Sequence, residues 1–335
     1  PTVNYAIFQI EEIKKLYRTK YPTKSYKLGT DMNQDGSINR DSDNDPLLDD
    51  STLEDYQNGN TILLPVFVND NFYPNQVFWN LDNPLVREYL IDYAEKNSIS
   101  SNNKRLALDN ILIVGSLSSQ DNNKYLRGTT DEEKATNYAK NMDEILKGLK
   151  NRGLTLWINS LQSYDTYNTY AQEYILKQGN YDIVLAEGRW HGCDWNRINK
   201  LCVLGNLKLE GTTYDSAEQW LKWINLVKSK NKKIVFSLYD YSFLTPDSED
   251  AYRGWLWVHL IANDKTYVFI DQHTTPPMIH YPFYDKPLGR PAEAEPFFNS
   301  TDGTWVRNYE AGRIVFRPGS RFTNDAGEIK LIKKI

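Results

Sequence analysis

The sequence predicts an α/β protein of (β/α)8 type, a TIM barrel with a small β-appendage at its C-terminal end. Three observations predict it: eight short apolar runs spaced along the chain, amphipathic stretches of helical length between most of them, and polar or acidic residues closing many of the runs. A parallel strand covered on both faces reads as a near-continuous apolar run, and repeated strand-helix-strand units make right-handed parallel crossovers. Closing such a sheet on itself gives a barrel, with functional side chains at the carboxyl ends of its strands. An open doubly wound sheet is the alternative, weakened because no glycine-rich turn follows the first strand.

The expected strands are VNYAIFQI (Val3 to Ile10), SYKLGT (Ser25 to Thr30), TILLPVFV (Thr61 to Val68), RLALDN (Arg105 to Asn110), LTLWINS (Leu154 to Ser160), YDIVLAEG (Tyr181 to Gly188), KIVFSLYDY (Lys233 to Tyr241) and TYVFIDQ (Thr266 to Gln272). Helical spacing predicts helices over Glu11 to Thr19, Pro84 to Lys96, Glu132 to Arg152, Tyr167 to Gln178, Ser216 to Ser229 and Ser248 to Asn263. Asn83 before Pro84 supplies an N-cap and a first-turn proline, and Asn151-Arg152-Gly153 ends a helix just ahead of a strand. The acidic stretch Asp31 to Asn60 reads as a long loop with at most a short helix near Leu47 to Tyr56. Near the C-terminus, alternation on either side of Glu310-Ala311-Gly312 predicts a β-hairpin within Thr304 to Ser320, with Glu328 to Ile335 as a further strand paired to it. The barrel is thus expected over residues 1–275, with an insertion at 31–60, and the irregular segment, hairpin and strand over 276–335 pack on it.

With 335 residues, 40% of them hydrophobic, the chain can bury a barrel-sized core, and a 13% aromatic content fits a surface for carbohydrate or another planar-faced ligand. Its net charge of -5, without a clustered basic stripe, argues against a nucleic-acid partner. The apolar stretch Trp255 to Ala262 is interrupted by His259 and too short to span a membrane. Cys193 and Cys202 are spaced to close a small disulfide or to remain two thiols. A bond there favours an exported chain, because cytosolic chains rarely keep disulfides.

The chemistry-bearing candidates stand at strand ends. Asp109 closes LALDN and Glu187 closes IVLAEG, each on the period-two face expected to turn inward. Glycoside hydrolysis needs one carboxylic acid to protonate the leaving oxygen and one carboxylate to attack or to activate water, roughly 5 to 9.5 Å apart. Neighbouring strands lie about 4.8 Å apart, so the backbones of strands two apart lie about 9.6 Å from each other and acids on them can bring their carboxyl groups into that range. Glu187 is the expected general acid, since the aromatic segment Gly188 to Trp195 could desolvate it and raise its pKa. Asp109 is the expected nucleophile or base, with Asp70 and Asp271 as second choices. The competing reading has each acid capping a helix or pairing with Arg105 or Arg189. Asp70, Asn159, Tyr239, Asp240 and Asp271 are expected to hydrogen-bond sugar hydroxyls. Trp79, Trp190 and Trp195 are candidates to stack on sugar rings or to pack under loops, and His191, in the same loop as Trp190, is a further candidate for substrate binding. For Trp157, Trp220, Trp223, Trp255 and Trp257, packing is expected. Four histidines without zinc-ligand spacing argue against a catalytic zinc, and no GxSxG elbow is present.

Within Asp31 to Asp45, Asp31, Asn33, Asp35, Ser37 and Asn39 alternate as in a calcium loop, with Gly36 at the sharp turn. Ser42 stands where a bidentate acid is expected, flanked by Asp41 and Asp43, so Asp43 is the candidate closing ligand. A structural Ca2+ is the expected ion. A solvated acidic loop is the alternative, and a loop whose metal takes part in hydrolysis is a third.

The run WNLDNPLVREYLIDYA (Trp79 to Ala94), then LALDN, then the strand-end Glu187, resembles the TIM-barrel glycoside hydrolases related to the endo-α-1,4-polygalactosaminidase group. DKPLGRPAEAEPFF (Asp285 to Phe298) and WVRNYEAGRIVFRP (Trp305 to Pro318) are similar to the ending of such proteins, where a small β-domain closes the chain. The resemblance implies a secreted or cell-surface carbohydrate hydrolase with Asp109 and Glu187 at the family's acidic positions. The calcium-like loop after the second strand, and Arg317-Pro318 in place of Asn-Pro, depart from the pattern. A barrel without activity, serving as a glycan-binding or structural surface component, is the rival reading.

Overall fold

The computed structural model describes residues 3–4, 52–68, 76–100, 104–108, 111, 123–159, 166–188, 193–196, 201–204, 207–209, 212–214, 217–239, 248–271, 280–317 and 327–334. The chain divides into two compact units, residues 1–157 with 170–181, and residues 158–169 with 182–335.

In the first unit, β1 (Val3–Asn4) pairs with a strand far along the chain. It is followed by α1 (Leu53–Gln57), β2 (Leu63–Val68), β3 (Gln76–Trp79), α2 (Pro84–Ser100), β4 (Arg105–Leu108) and α3 (Asp131–Asn151). β5 (Thr155–Asn159) and α4 (Thr166–Gln178) contribute residues to both units. α3 begins at a capping box, where the Thr130 hydroxyl accepts from the Glu133 N–H and the Glu133 carboxylate accepts from the Thr130 N–H. That reciprocal pair satisfies two of the donors a helix start leaves over. Ala135, Ala139, Met142, Ile145, Leu146 and Leu149 recur at three- and four-residue intervals and form the buried face of α3.

The second unit contains β6 (Ile183–Gly188), β7 (Cys193–Asn196), β8 (Leu201–Leu204), β9 (Leu207–Leu209), β10 (Thr212–Tyr214), α5 (Ala217–Ser229), β11 (Lys233–Tyr239), α6 (Glu249–Ile261), β12 (Thr266–Asp271) and the strands β13 (Phe297–Asn299), β14 (Thr304–Tyr309), β15 (Gly312–Arg317) and β16 (Glu328–Lys333). α6 is apolar almost all round, and both of its sides are covered. It contacts β11 and β12 on one side and β15 and β16 on the other. Trp257 is fully buried, with its ring edge-on to Phe316 at 5.2 Å. Burying each large apolar side chain of this kind contributes about 1.5–3 kcal/mol. β14 and β15 form the hairpin expected around Glu310-Ala311-Gly312, and β16 pairs with β15. Gly312 is required there, because a Cβ would stand 2.3 Å from the Ile332 carbonyl oxygen.

The eight-stranded barrel is not the fold of the described residues. Five strands form a parallel sheet in the order β12-β11-β6-β5-β4, and the remaining strands lie in separate antiparallel sheets. The chain is a mixed α/β protein. Thr61 to Val68, expected as a parallel barrel strand, instead pairs antiparallel with β3, and Val3 and Asn4 pair antiparallel with β3 from its other side. The physical reason is the connection. An antiparallel pair needs only a short turn, whereas a parallel pair needs a crossover of a dozen or more residues, and the Asn-, Asp- and Pro-bearing stretch between β2 and β3 is too short for one. Pro65, which has no N–H to donate, sits where the β2–β3 register shifts. The second expected strand, Ser25 to Thr30, and the helix Glu11 to Thr19 lie outside the described residues.

A second correction concerns the stretch after β6. The part expected as one aromatic loop contains two small hairpins, β7 with β8 and β9 with β10.

Candidate functional site

The carboxyl ends of the second unit's parallel strands hold the strongest chemistry in the described residues. Val184, Ala186, Ile234 and Phe236 are buried on one face of β6 and β11. By strand parity, positions 183, 185 and 187 of β6 and 235, 237 and 239 of β11 belong to the opposite face. Glu187, next to last in β6, is the register partner of Ser237. Tyr239 and Asp271, the last residues of β11 and β12, are partners of each other, and Ser237 is in turn the partner of Phe269. Positions 187, 239 and 271 therefore share one face at one end of three adjacent strands. The backbones of β6 and β12, separated by β11, lie about 9.6 Å apart at ordinary strand spacing. Ligands of open parallel sheets gather at this end of the strands.

Asn159, the last residue of β5, is buried. Trp79 ends β3 at 5% exposure, with its ring 5.6 Å from that of Tyr89, so its indole is packing surface rather than an open stacking face. Trp195 lies in β7 opposite Cys202, and Cys193 lies opposite Leu204, so the two cysteines are not direct cross-strand partners. Asp109, Asp70, Asp240, Trp190 and His191 lie outside the described residues, as do the proposed calcium ligands Asp31, Asn33, Asp35, Ser37, Asn39 and Asp43. Asp109 directly follows Leu108, the final residue of β4. Among the described residues, no group of three or more His, Cys, Asp or Glu is placed to hold a metal ion.

Two features were not anticipated from the sequence. Trp157, expected to pack, is 36% exposed in the middle of β5, while Leu156 and Ile158 on either side of it are fully buried. A cavity of about 640 Å³ also opens beside α6, walled by Tyr252, Trp255 and Phe283 with Lys286 and Lys333 among its lining residues. The Tyr252–Trp255 spacing of three places both rings on one helix face and is the signal that could have found it. Burial pushes the Tyr252 hydroxyl pKa above its ordinary value.

No family model matches the chain, and no curated protein matches it. No helix among the described residues is long and apolar enough to cross a membrane.

Proposed function

We propose that the chain hydrolyses a glycosidic bond of a polysaccharide by paired-carboxylate catalysis, with Glu187 as general acid and Asp109 as nucleophile or base, as in glycoside hydrolases related to the endo-α-1,4-polygalactosaminidase group. Asp271 is the second choice for the partner carboxylate. The observation that carries the reading is the position of Glu187 at the carboxyl end of a parallel strand, on the same face as Tyr239 and Asp271. A glycosidic oxygen is a poor leaving group until it is protonated, so a carboxylic acid held neutral near pH 7 performs the demanding step. The second carboxylate either attacks the anomeric carbon or takes a proton from the attacking water, and the separation of the two sets the stereochemical course. Tyr239 and Asn159 are read as hydroxyl-binding groups. The Asp31 to Asp45 loop is read as a structural Ca2+ site outside the chemistry, and a polysaccharide substrate agrees with a secreted or cell-surface protein.

The test is release of reducing ends from a panel of polysaccharides, galactosamine-containing polymers included, by the chain and its Glu187→Gln, Asp109→Asn and Asp271→Asn variants. Glu187→Gln is expected to lower turnover about 100- to 10,000-fold, the range for loss of a general acid. Whichever aspartate variant falls with it identifies the partner carboxylate. A chelator is expected to lower the melting temperature while leaving turnover at low temperature intact. Turnover unchanged in Glu187→Gln sinks the reading, and sugar binding without turnover on any polymer would leave a glycan-binding protein in its place.

A further inference from the structure

We infer that the cavity beside α6 is a binding subsite for an acidic sugar residue, one carrying a carboxylate on its ring. The choice of a saccharide rests on the hydrolase reading above, and the choice of an anionic one rests on the cavity itself. Its walls are aromatic and prearranged. Tyr252 and Trp255 stack at 5.9 Å with their planes 19° apart, and Phe283 closes on them at 5.6 and 5.4 Å. Trp255 is fixed from behind by the His259 ring at 4.3 Å, so these rings are held in place before any ligand arrives. Trp255 and Phe283 are buried and form the closed backing of the cavity, and the half-buried Tyr252 ring is the face on which the C–H side of a sugar packs while its substituents turn to a polar rim.

That rim carries uncompensated positive charge. Lys286 and Lys333 are exposed, and among the described residues neither ammonium has a carboxylate within ion-pair distance. Of the acids near them, Glu249, which also lines the cavity, pairs with Arg253 at 2.5 Å, and Asp285 pairs with His280 at 2.9 Å. Two free ammonium groups beside an aromatic wall match a ligand with an apolar ring face and a negative substituent, and a cavity of about 640 Å³ falls within the range of small-molecule sites. The Tyr252 hydroxyl makes no hydrogen bond to the described residues and is available to a ring hydroxyl.

The experiment titrates the intact chain with trigalacturonate and with neutral galactotriose, read by calorimetry and tryptophan fluorescence at low and high salt. The acidic trimer is expected to bind at least about tenfold more tightly than the neutral one, as a single charge-assisted contact provides. Salt should weaken it, because the contacts are exposed. The double variant Lys286→Gln/Lys333→Gln is expected to erase the preference, and Tyr252→Ala to weaken both ligands. Equal binding of the two trimers, no binding of either, or a preference that survives the double variant overturns the proposal. Hydrolysis is read separately. Acidic-trimer binding with no turnover on any polymer removes the hydrolase reading and keeps this one, whereas turnover without the charge preference does the reverse.

Discussion

Two helix ends in this molecule solve the same problem with different materials. At the start of α2, the leftover backbone donors and nearby polar groups are met by short neutral amides. Asn83 accepts from the Leu85 N–H at 2.9 Å and donates to the Thr61 carbonyl at 3.1 Å, while Asn80 donates to the Tyr56 carbonyl and the Thr61 hydroxyl and accepts from the Asp82 N–H. Both asparagines are essentially fully buried. The corner is so tight that Gly59, at φ +72°, faces the Asp82 carbonyl oxygen, where a Cβ would approach to 2.5 Å. At the end of α6, the leftover carbonyls are met by a charge brought from β14. The Arg307 guanidinium, in a side chain only 2% exposed, donates to the carbonyls of His259, Leu260 and Ala262 and to that of Ala294. Tyr309 adds its hydroxyl to the His259 carbonyl at 2.5 Å. A helix start needs acceptors, which Asn supplies from the adjoining chain. A helix end needs donors, and a cation there also suits the negative end of the helix dipole.

The largest effect should therefore come from the charged cap. Arg307→Ala leaves the Leu260, Ala262 and Ala294 carbonyls without this donor, leaves the His259 carbonyl with Tyr309 alone, and opens the space the arginine stem filled, with an expected loss of about 3–5 kcal/mol in urea unfolding. Arg307→Lys should recover only part, because an ammonium cannot reproduce the planar fork that reaches several carbonyls together. Hydrogen exchange should quicken first in the last turn of α6. A loss below about 1 kcal/mol in Arg307→Ala would break the comparison, since the cap would then be replaceable by water.

This contrast also explains what was readable in the sequence. Asn83-Pro84 and Asn151-Arg152-Gly153 mark helix ends through neighbours in the chain, and α2 and α3 begin and end close to where those residues predict. Helix periodicity and the hairpin at Glu310-Ala311-Gly312 are equally local, and both were legible. What was not legible depends on distant partners. Arg307 looks like any polar residue in an alternating strand, and its acceptors on α6 lie up to 48 residues away. The antiparallel pairing of β2 and β3 was hidden because the four-residue run at Gln76–Trp79 is too short to stand out and was not among the expected strands. The candidate site follows the same rule. Strand-end positions such as Glu187 and Asp271 could be picked out from alternation alone, whereas the cavity at Tyr252 required helix, turn and sheet to be brought together by the fold.

The neutral corner should give the intermediate effect. Asn80→Ala removes donors to two buried acceptors and the acceptor for the Asp82 N–H, with an expected cost of about 2–3 kcal/mol. Asn80→Asp keeps the shape but replaces the donating nitrogen with an oxygen facing the Tyr56 carbonyl, so it should cost at least as much at neutral pH. Equal stability of Asn80→Asp and the parent chain would show that shape rather than hydrogen bonding holds this corner together.

The smallest effect is in pH dependence, where the two ends should slope in opposite directions. His259 in the last turn of α6 has its pKa lowered, first by burial and then by the Arg307 charge, against the opposing hydrogen bond to the Trp255 carbonyl. Its folded pKa lies below the unfolded value of about 6.5, so its contribution to stability is fully present above that pH and is lost as pH falls through the native value. Asp82 at the α2 corner has its pKa raised, chiefly by burial, against the Asn141 hydrogen bond and the charges of Arg127 and Arg87. Its contribution is present below the unfolded value of about 3.9 and is lost as pH rises through the native value. Urea midpoints measured from pH 7.5 downward should therefore fall less steeply below about pH 6.5 in His259→Gln than in the parent chain. Asp82→Asn should remove the opposing slope, which begins near pH 3.9. In Arg307→Ala the His259 ring loses its cationic neighbour, so its proton resonances should titrate at higher pH than in the parent. An unchanged His259 titration would mean that burial and the Trp255 hydrogen bond set its pKa without the Arg307 charge, and the charged cap would then act on the helix carbonyls without reaching the histidine.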